Sequence, residues 1–244
     1  MNFYRHHQTN RPLVFAHRGY SARHPENSLA AFGAARDAGA DGIECDLRLS
    51  ADGVVVVIHD PLVDATTNGT GAVDEMTWSE LGRLRLRGVD GGLSDQRIPR
   101  LEELRAIVPD DMLLNLELKP TAKSGAALVR AVAGIVDGWD RDRLLISSFD
   151  VPLLREMQRT LPAVSTAVLV GGRIPDALGL VRWAEAEALH LDAESVRIED
   201  IAEFEAAGLP WAVYAIWRQQ DLTHLAKAAA VFLDDPGWAR KPRP

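Results

Sequence analysis

Three acidic residues in apolar surroundings are the first candidates for chemistry in this sequence. Glu44 and Asp46 stand two positions apart in the otherwise apolar run 42–47, so in a β-strand both side chains point to the same face. Two carboxylates on a buried face repel each other and lose hydration, which favours a cation between them. Glu117, in the run 113–118, adds a third carboxylate. Hard oxygen ligands without cysteine suit Mg²⁺ or Ca²⁺ better than Zn²⁺, so we predict one such divalent cation.

Two histidines and two basic residues complete the candidate chemistry. His17, Arg18, His59 and Lys119 each lie at or just beyond the end of an apolar run. A single histidine in such a place is more often structural, but two with a pKa near neutrality can divide general acid and general base work. Arginine and lysine both suit phosphate oxygens. With three carboxylates and a divalent cation, the local charge sums to about +1, which matches a phosphodiester monoanion.

The elements that must position these residues form a repeating strand and helix pattern. The runs 42–47 and 54–58 are joined by a short connection containing Asp52-Gly53, which makes an antiparallel hairpin. The other eight strands are expected to be parallel, and helices between them predict an α/β fold, a TIM (β/α)8 barrel whose mouth collects the polar residues. The nine predicted strands are 13–16, 42–47, 54–58, 113–118, 144–147, 165–170, 188–191, 211–216 and 231–233.

Residues 61–100 interrupt this pattern. The segment is rich in turn-forming residues, and its apolar pattern predicts only one helix, near residues 78–86. About forty residues is far longer than an ordinary loop, so we expect a small insertion after the hairpin formed by 42–47 and 54–58. The whole chain, 1–244, is therefore predicted to be a single TIM-barrel catalytic domain with an insertion subdomain at about 61–100.

Composition limits the partners. With 27 Lys and Arg against 35 Asp and Glu, the net charge of −8 disfavours nucleic acid and anionic membranes. No stretch approaches the roughly 18 apolar residues of a membrane span, and residues 1–12 lack the apolar core of a secretory signal. Cys45 is the only cysteine, which fits a reducing compartment. We expect a cytoplasmic enzyme with a small-molecule phosphodiester substrate and no nucleic-acid partner; the sequence does not indicate an oligomeric state.

Taken in order, the motifs resemble those of the glycerophosphodiester phosphodiesterases, in particular the short cytoplasmic bacterial type. The resemblance runs from residue 13 to residue 236. It implies a TIM barrel with a small insertion after the second strand's hairpin, and metal-dependent hydrolysis of glycerophosphodiesters to glycerol 3-phosphate and an alcohol. The motifs that carry it most clearly are His17-Arg18-Gly19, Pro25-Glu26-Asn27-Ser28, Glu44-Cys45-Asp46, His59-Asp60 and Glu117-Leu118-Lys119.

The resemblance also implies residue roles. The metal ligands would be Glu44, Asp46 and Glu117, the acid and base His17 and His59, and the phosphate-binding residues Arg18 and Lys119. The choice between Mg²⁺ and Ca²⁺ stays open, as does the choice between water and a substrate hydroxyl as nucleophile. Either histidine can be the base, and His17 is favoured. Asn27 is expected to cap a helix, its commonest role, and His24 and His190 to be surface or structural residues.

Three positions near the expected rim depart from the family pattern. Ala65 stands where the family often has Arg before Thr-Thr, and Leu233 stands where it usually has Thr before Asp. Trp217 ends a segment that usually reads aromatic-Thr-Val-Asn, and we expect it to fill space at the barrel end. These departures leave the alcohol part of the substrate open.

Three other functions are compatible with parts of the pattern. A lysophospholipase D-like phosphodiesterase would need an apolar groove, and the insertion offers only scattered apolar residues. A metal-dependent sugar isomerase or aldolase on the same barrel would need ligands or a base on the later strands, which supply little beyond His190, Asp192 and Asp234. A non-catalytic phosphodiester-binding protein is disfavoured because both histidines are retained.

Overall fold

The computed structural model describes residues 3–7, 9–172, 174–216 and 225–240. Within them, eight parallel strands form a closed barrel, because β1 pairs with β2 on one side and with β11 on the other. The predicted TIM barrel is confirmed. Its strands are β1 (Leu13–Ala16), β2 (Gly42–Leu49), β6 (Leu113–Leu118), β7 (Leu144–Ser148), β8 (Ser165–Val170), β9 (Ala188–Asp192), β10 (Trp211–Ile216) and β11 (Ala230–Leu233).

The predicted hairpin follows β2. Strand β3 (Val55–Val57) runs antiparallel to the end of β2, with Leu47 opposite Val57. Gly53 adopts the left-handed φ of +82° that the tight connection requires. Beyond β3, the Ile58 N–H donates to the Asp46 carbonyl at 2.9 Å, which brings His59 beside the mouth of the barrel.

Helices other than α1 (Phe3–His6) and α3 (Trp78–Leu81) surround the barrel and pack apolar residues against it. In α5 (Gly125–Val136) one apolar face is buried, and α6 (Val151–Thr160) begins after Asp150, whose side chain accepts from the Leu153 N–H at 3.0 Å. The apolar spacing of residues 222, 225, 226 and 229 also predicts a helix over 219–229; residues 219–224 lie outside the described residues, and residues 225–229 are not helical. The helices are α1 (Phe3–His6), α2 (Leu29–Ala38), α3 (Trp78–Leu81), α4 (Leu101–Ile107), α5 (Gly125–Val136), α6 (Val151–Thr160), α7 (Ala177–Ala184) and α8 (Ile198–Ala206).

Helix α1 closes the barrel at the end opposite the mouth. Phe3 and Tyr4 are buried against the amino-terminal ends of the strands, where Phe15 and several alanines line the interior. The Tyr4 hydroxyl lies 2.7 Å from Nε2 of the fully buried His190. Burial lowers the pKa of His190 to about 3, so this ring is neutral and structural, as expected.

Residues 61–100 lie beside the mouth and contain a second, small sheet. Strand β4 (Arg85–Arg87) pairs antiparallel with β5 (Leu93–Arg97), so the predicted helix near 78–86 is wrong beyond Leu81, where α3 ends. The reason is local: Gly82 follows the helix, and Leu86 is buried between two more exposed arginines with the alternation of a strand. A separate apolar cluster joins this segment to the hairpin; its buried members are Val56, Ile58, Val63, Val73, Leu81, Leu86 and Ile98.

Candidate active site

Three buried carboxylates meet at the barrel mouth. Strands β2 and β6 pair in register, with Asp46 opposite Glu117 and Glu44 one layer below. One carboxylate oxygen from each of the three lies within 4.8 Å of the others, and all three side chains are buried. The structure therefore brings together Glu44, Asp46 and Glu117, the three carboxylates that the sequence predicted to form one site.

Their electrostatics show a shortage of positive charge. Burial, with the charges of Asp46 and Glu117, raises the pKa of Glu44 well above its ordinary value. Burial and the Asp46 charge raise the pKa of Glu117 to about 7. Burial also opposes ionisation of Asp46, but the charges of Lys119 and Arg18 lower its pKa to about 2. Asp46 is thus stably ionised at neutral pH, whereas burial and the neighbouring carboxylates oppose ionisation of Glu44 and Glu117, which further positive charge would favour.

The hydrogen bonds of Glu44 provide a test of whether a cation fits. Its Oε2 accepts from the Arg18 N–H at 2.9 Å, while its Oε1 is buried without a hydrogen-bond partner among the described residues. A buried carboxylate oxygen with no donor is costly unless a ligand satisfies it. Together with Asp46 and Glu117, this all-oxygen donor set fits a hard divalent cation. The three carboxylates can therefore hold such an ion.

Two basic side chains border the carboxylates. Lys119 Nζ lies 2.5 Å from Glu117 Oε1 and 3.3 Å from Asp46 Oδ1. Burial lowers the pKa of this amine, but the Asp46 and Glu117 charges raise it above its ordinary value, so Lys119 is charged. Arg18 Nη1 contacts both Glu26 oxygens at 3.1 Å, and its Nε lies 3.4 Å from Asp46. Glu26 was left out of the expected local charge of about +1, and including it brings that sum to about zero.

Each histidine is held by an aspartate through Nδ1. His17 Nδ1 lies 2.7 Å from Asp234 Oδ1, and His59 Nδ1 lies 2.8 Å from Asp60 Oδ1. A carboxylate partner assigns a proton to Nδ1 and leaves Nε2 to exchange protons with a substrate. Ser21 also donates to Asp234, at 3.1 Å, which fixes that carboxylate. The sequence pattern identifies the histidines but does not show that these two aspartates hold them.

Asn27 contradicts its expected role as a helix cap. Ser28 caps α2 instead, since its Oγ accepts from the Ala31 N–H at 3.1 Å. Asn27 is buried with a left-handed φ of +55°, and its amide forms two hydrogen bonds with Asp46. Its Nδ2 donates to Asp46 Oδ2 at 2.8 Å, and its Oδ1 accepts from the Asp46 N–H at 3.2 Å. Asn27 therefore orients a candidate ligand.

Arg48 is a second positioning residue that sequence reasoning missed. Its Nε donates to the His59 carbonyl at 2.8 Å, and its Nη1 lies 3.3 Å from the Lys119 carbonyl. It thus ties the end of the β3 segment to the end of β6. A signal was present, because Arg48 continues the alternation of Glu44 and Asp46 on the same face of β2.

A groove of about 480 Å³ extends from the site toward the insertion. It begins at His17 and Arg18 and runs between residues 21–26 and the tip of the β4–β5 hairpin. Of the two departures that lie among the described residues, Ala65 and Leu233, only Ala65 lines it. Leu233 was expected at the rim but is fully buried in the barrel wall, where its side chain packs in the main core. Trp217 lies outside the described residues.

Fold and site together define a TIM-barrel enzyme. One mouth of the barrel holds an acidic centre, two histidine–aspartate pairs and two basic side chains, Arg18 and Lys119. Residues 17–238 match the model of the Glycerophosphoryl diester phosphodiesterase family. The chain is 34% identical over 234 residues to a glycerophosphodiester phosphodiesterase of Caldanaerobacter subterraneus subsp. tengcongensis, covering 92% of this chain and 94% of that protein. The chain therefore belongs to the glycerophosphoryl diester phosphodiesterase family and is a phosphoric diester hydrolase.

Solved structures agree with this family. A phosphodiesterase of Oleispira antarctica in complex with the product sn-glycerol-3-phosphate is similar with a TM-score of 0.87 and 27% identity, covering 94% of this chain and 96% of that one. A glycerophosphodiester phosphodiesterase of Thermotoga maritima is similar with a TM-score of 0.78 and 29% identity, covering 94% and 97%. In the part of the chain with described coordinates, none of the helices has the length and apolar character needed to cross a bilayer.

Proposed function

We propose that this chain hydrolyses glycerophosphodiesters to glycerol 3-phosphate and an alcohol, with Mg²⁺ or Ca²⁺ held by Glu44, Asp46 and Glu117. The observation that carries the proposal is the buried carboxylate cluster beside two histidines held by aspartates; in this cluster Glu44 Oε1 has no hydrogen-bond partner among the described residues. Family membership supports the substrate class, as does the similar Oleispira antarctica enzyme with its bound product.

The basic residues are proposed to bind the phosphate. When bound, the cation supplies Lewis-acid stabilisation of negative charge on phosphoryl oxygens. Lys119 offers an ammonium and Arg18 a guanidinium at the same mouth, and both suit the two non-bridging oxygens of a diester. Arg48 keeps Lys119 in place through its carbonyl, and Glu26 keeps the Arg18 guanidinium in place through the forked ion pair.

The groove suggests how the histidines divide their work. It begins at His17 and is not lined by His59, so an alcohol lying in it would leave beside His17. Burial lowers the pKa of His59, which favours the neutral ring that a base requires. We therefore assign His59 as general base and His17 as general acid, opposite to the choice favoured from the sequence.

In the proposed reaction one histidine accepts a proton and the other donates one. His59 Nε2 accepts a proton from the attacking group, a water molecule or the substrate's own neighbouring hydroxyl, and the oxygen of that group forms a bond to phosphorus. If the substrate hydroxyl attacks, a water molecule must then open the resulting cyclic phosphate to give glycerol 3-phosphate. The bond from phosphorus to the alcohol oxygen breaks, and that oxygen takes the proton from His17 Nε2. Asp60 and Asp234 stabilise whichever ring carries the extra proton, through the Nδ1 contacts of 2.8 and 2.7 Å.

Release of glycerol 3-phosphate from a small diester and from a lipid analogue tests the substrate class. We expect glycerophosphocholine to be cleaved faster than lysophosphatidylcholine, because the described groove offers Val89 but no continuous apolar wall for an acyl chain. Faster cleavage of the lipid would replace the proposal with the lysophospholipase D-like alternative. No release from any glycerophosphodiester in the presence of Mg²⁺ or Ca²⁺ would contradict the proposed function.

The carboxylate cluster should make the effect of a cation on stability depend on pH. Folding raises the pKa of both Glu44 and Glu117, the latter to about 7, so the contribution of these two carboxylates to the stability of the cation-free fold falls as pH rises from about 4.5 through 7. A cation competes with these protons and should therefore stabilise more at about pH 8 than at about pH 5.5. At about 100 times its Kd it adds about 2.7 kcal/mol, or about 5–10 °C in Tm at this chain length.

Thermal unfolding with and without Mg²⁺ or Ca²⁺ at the two pH values measures this effect. Glu102→Gln, at an exposed position on α4, is a matched control that should leave the increase in Tm unchanged. An increase of the same size at both pH values, or none at either, would contradict cation binding by these carboxylates.

Domain limits and location remain proposals. We propose that residues 61–100 are an insertion subdomain of a single catalytic domain spanning 1–244, and the support is the separate apolar cluster that joins the insertion to the hairpin. A cytoplasmic location is supported by the free, buried Cys45, the only cysteine of the chain. Neither proposal affects the assignment of the site residues.

A further inference from the structure

We propose that Arg87, at the tip of the β4–β5 hairpin, determines the alcohol specificity of this enzyme by binding an anionic group, a phosphate monoester or a carboxylate, on the alcohol. The inference rests on the proposed hydrolysis of glycerophosphodiesters and adds the chemistry of the alcohol that the site prefers. It concerns the far wall of the groove that begins at His17, beyond the carboxylates and histidines.

The groove has the dimensions and openness for a variable group. Its volume is about 480 Å³, and its outer wall consists of Gly88, Val89 and Gly91 with Arg87. Val89 and Gly91 are exposed to solvent, so the groove is not a closed pocket of fixed length. Glycerol is common to all substrates of this class and the alcohol is the variable part, which fits an open groove that starts at the proposed general acid.

The charges along the groove are already paired, with one exception. Arg18 is bound by Glu26, and Asp234 is bound by His17 and Ser21. Arg87 is exposed and has no ion pair within the residues that the structure covers. Among the described residues its guanidinium forms one hydrogen bond, a long one of 3.4 Å from Nη1 to the Gly91 carbonyl. Most of its donors therefore face the groove or solvent and can bind an anion.

The backbone holds Arg87 in this position. Its N–H donates to the Thr66 carbonyl at 2.8 Å, and the Gly88 N–H donates to the Gly92 carbonyl at 2.7 Å across the turn. Leu86 is buried in the apolar cluster, so strand alternation places the side chains of the flanking Arg85 and Arg87 on the opposite face of β4, away from that cluster. A guanidinium on a fixed backbone is well suited to a forked contact with phosphate or carboxylate oxygens.

The neighbouring arginines differ from Arg87. Arg85 Nε donates to the Ser94 carbonyl at 2.7 Å, and its Nη2 lies 3.2 Å from Asp95, so its charge is used within the hairpin. Arg83 is exposed but does not line the groove, which makes it a control for general surface charge. Ala65 lines the groove beside Thr66 and leaves room there for a longer side chain.

Arg87 should make the groove prefer an alcohol with a negative charge over one with a positive charge. An alcohol with a phosphate or a carboxylate gains a charge-assisted contact with Arg87, whereas the quaternary ammonium of choline is repelled. Two probe substrates isolate the effect: glycerophosphoinositol and glycerophosphoinositol 4-phosphate differ only in one phosphate on the alcohol. The measured quantity is the ratio of kcat/KM for the phosphorylated substrate to kcat/KM for its parent.

We expect this ratio to be about tenfold or more in the wild-type enzyme, the size of one charge-assisted contact. Arg87→Gln should reduce the ratio to about one, while Arg83→Gln should leave it unchanged. Adding Ala65→Arg to Arg87→Gln should restore most of the ratio, because both positions line the same groove and residue 87 is hydrogen-bonded to residue 66. Thermal unfolding of each variant checks that the fold is retained.

A wild-type ratio near one, or a ratio that survives Arg87→Gln, would overturn the inference while leaving the proposed function in place. An equal loss of the ratio in Arg83→Gln would also overturn it, because general surface charge would then be the cause. A wild-type enzyme that cleaves neither substrate nor any other glycerophosphodiester would contradict the proposed function itself, and the inference with it.

Discussion

Replacing His17 with alanine is expected to lower kcat/KM for glycerophosphocholine by about 10²–10⁴-fold, the usual contribution of a positioned general acid or base. His17 lines the groove proposed for the alcohol, and its Nδ1 contact of 2.7 Å with Asp234 leaves Nε2 to protonate the departing oxygen. His59→Ala should lower kcat/KM by a similar factor, because it removes the general base instead of the general acid. His6→Ala, at an exposed position on α1, should leave kcat/KM unchanged.

The acidity of the leaving alcohol distinguishes the two histidines. An ester of glycerol 3-phosphate with p-nitrophenol needs little protonation as its phenolate leaves, so the general acid matters much less for this substrate. His17→Ala should therefore recover most of its loss on the activated ester, whereas His59→Ala should not. If His59→Ala recovers kcat/KM on this ester and His17→Ala does not, the two roles are reversed. If neither variant recovers, neither His17 nor His59 is the general acid.

Glu44→Gln is expected to have the largest effect on cation binding. The change keeps the shape of the side chain but removes the charge from the carboxylate whose Oε1 is buried and unpartnered. Loss of a residue that hydrogen-bonds to a metal ligand typically lowers metal affinity about 10–100-fold. The affinity of Glu44→Gln for Mg²⁺ or Ca²⁺, measured by calorimetry, should fall by more than this. Asn27→Ala provides that comparison, because Asn27 binds Asp46 without belonging to the carboxylate cluster.

The same substitution should stabilise the cation-free protein. Burial and the charges of Asp46 and Glu117 raise the pKa of Glu44, so its ionised form opposes folding at high pH. A neutral amide removes that cost, and Tm of cation-free Glu44→Gln should exceed that of the wild type at about pH 8. A lower Tm together with unchanged cation affinity would show that Glu44 is a structural residue and would exclude it as a ligand.

Local patterns in the sequence predicted much of the fold and the acidic centre. The two-residue spacing of Glu44 and Asp46 placed both on one face, and the short Asp52-Gly53 connection separated the hairpin strand from the eight barrel strands. Parallel pairing then brought Glu117 opposite Asp46. These inferences succeed because strand periodicity and loop length depend on neighbouring residues only.

Contacts between distant residues could not be predicted in the same way. His17 and Asp234 are separated by 217 positions, and only closure of the barrel between β1 and β11 brings them together. Asn27 precedes α2 and fits the pattern of a cap, yet the backbone turns it toward Asp46, a choice made by tertiary packing. The same applies to Leu233, whose burial depends on which face of β11 meets the helices.

The negative net charge also has a different meaning at the site. A charge of −8 disfavours a polyanionic partner, but at the mouth Arg18 and Lys119 already offset part of the carboxylate charge. Without a cation, two of the three carboxylates have raised pKa values and compete for those basic groups. Further positive charge at this centre would keep all three carboxylates ionised beside a bound phosphodiester.

A titration of the chelated enzyme with Mg²⁺ or Ca²⁺ tests this most directly, with bound cation and release of glycerol 3-phosphate from glycerophosphocholine measured on the same samples. We predict that activity is absent without the cation and rises in proportion to occupancy, reaching its maximum at one ion per chain. Full activity of the chelated enzyme, or activity that does not follow occupancy, would contradict a catalytic cation at Glu44, Asp46 and Glu117.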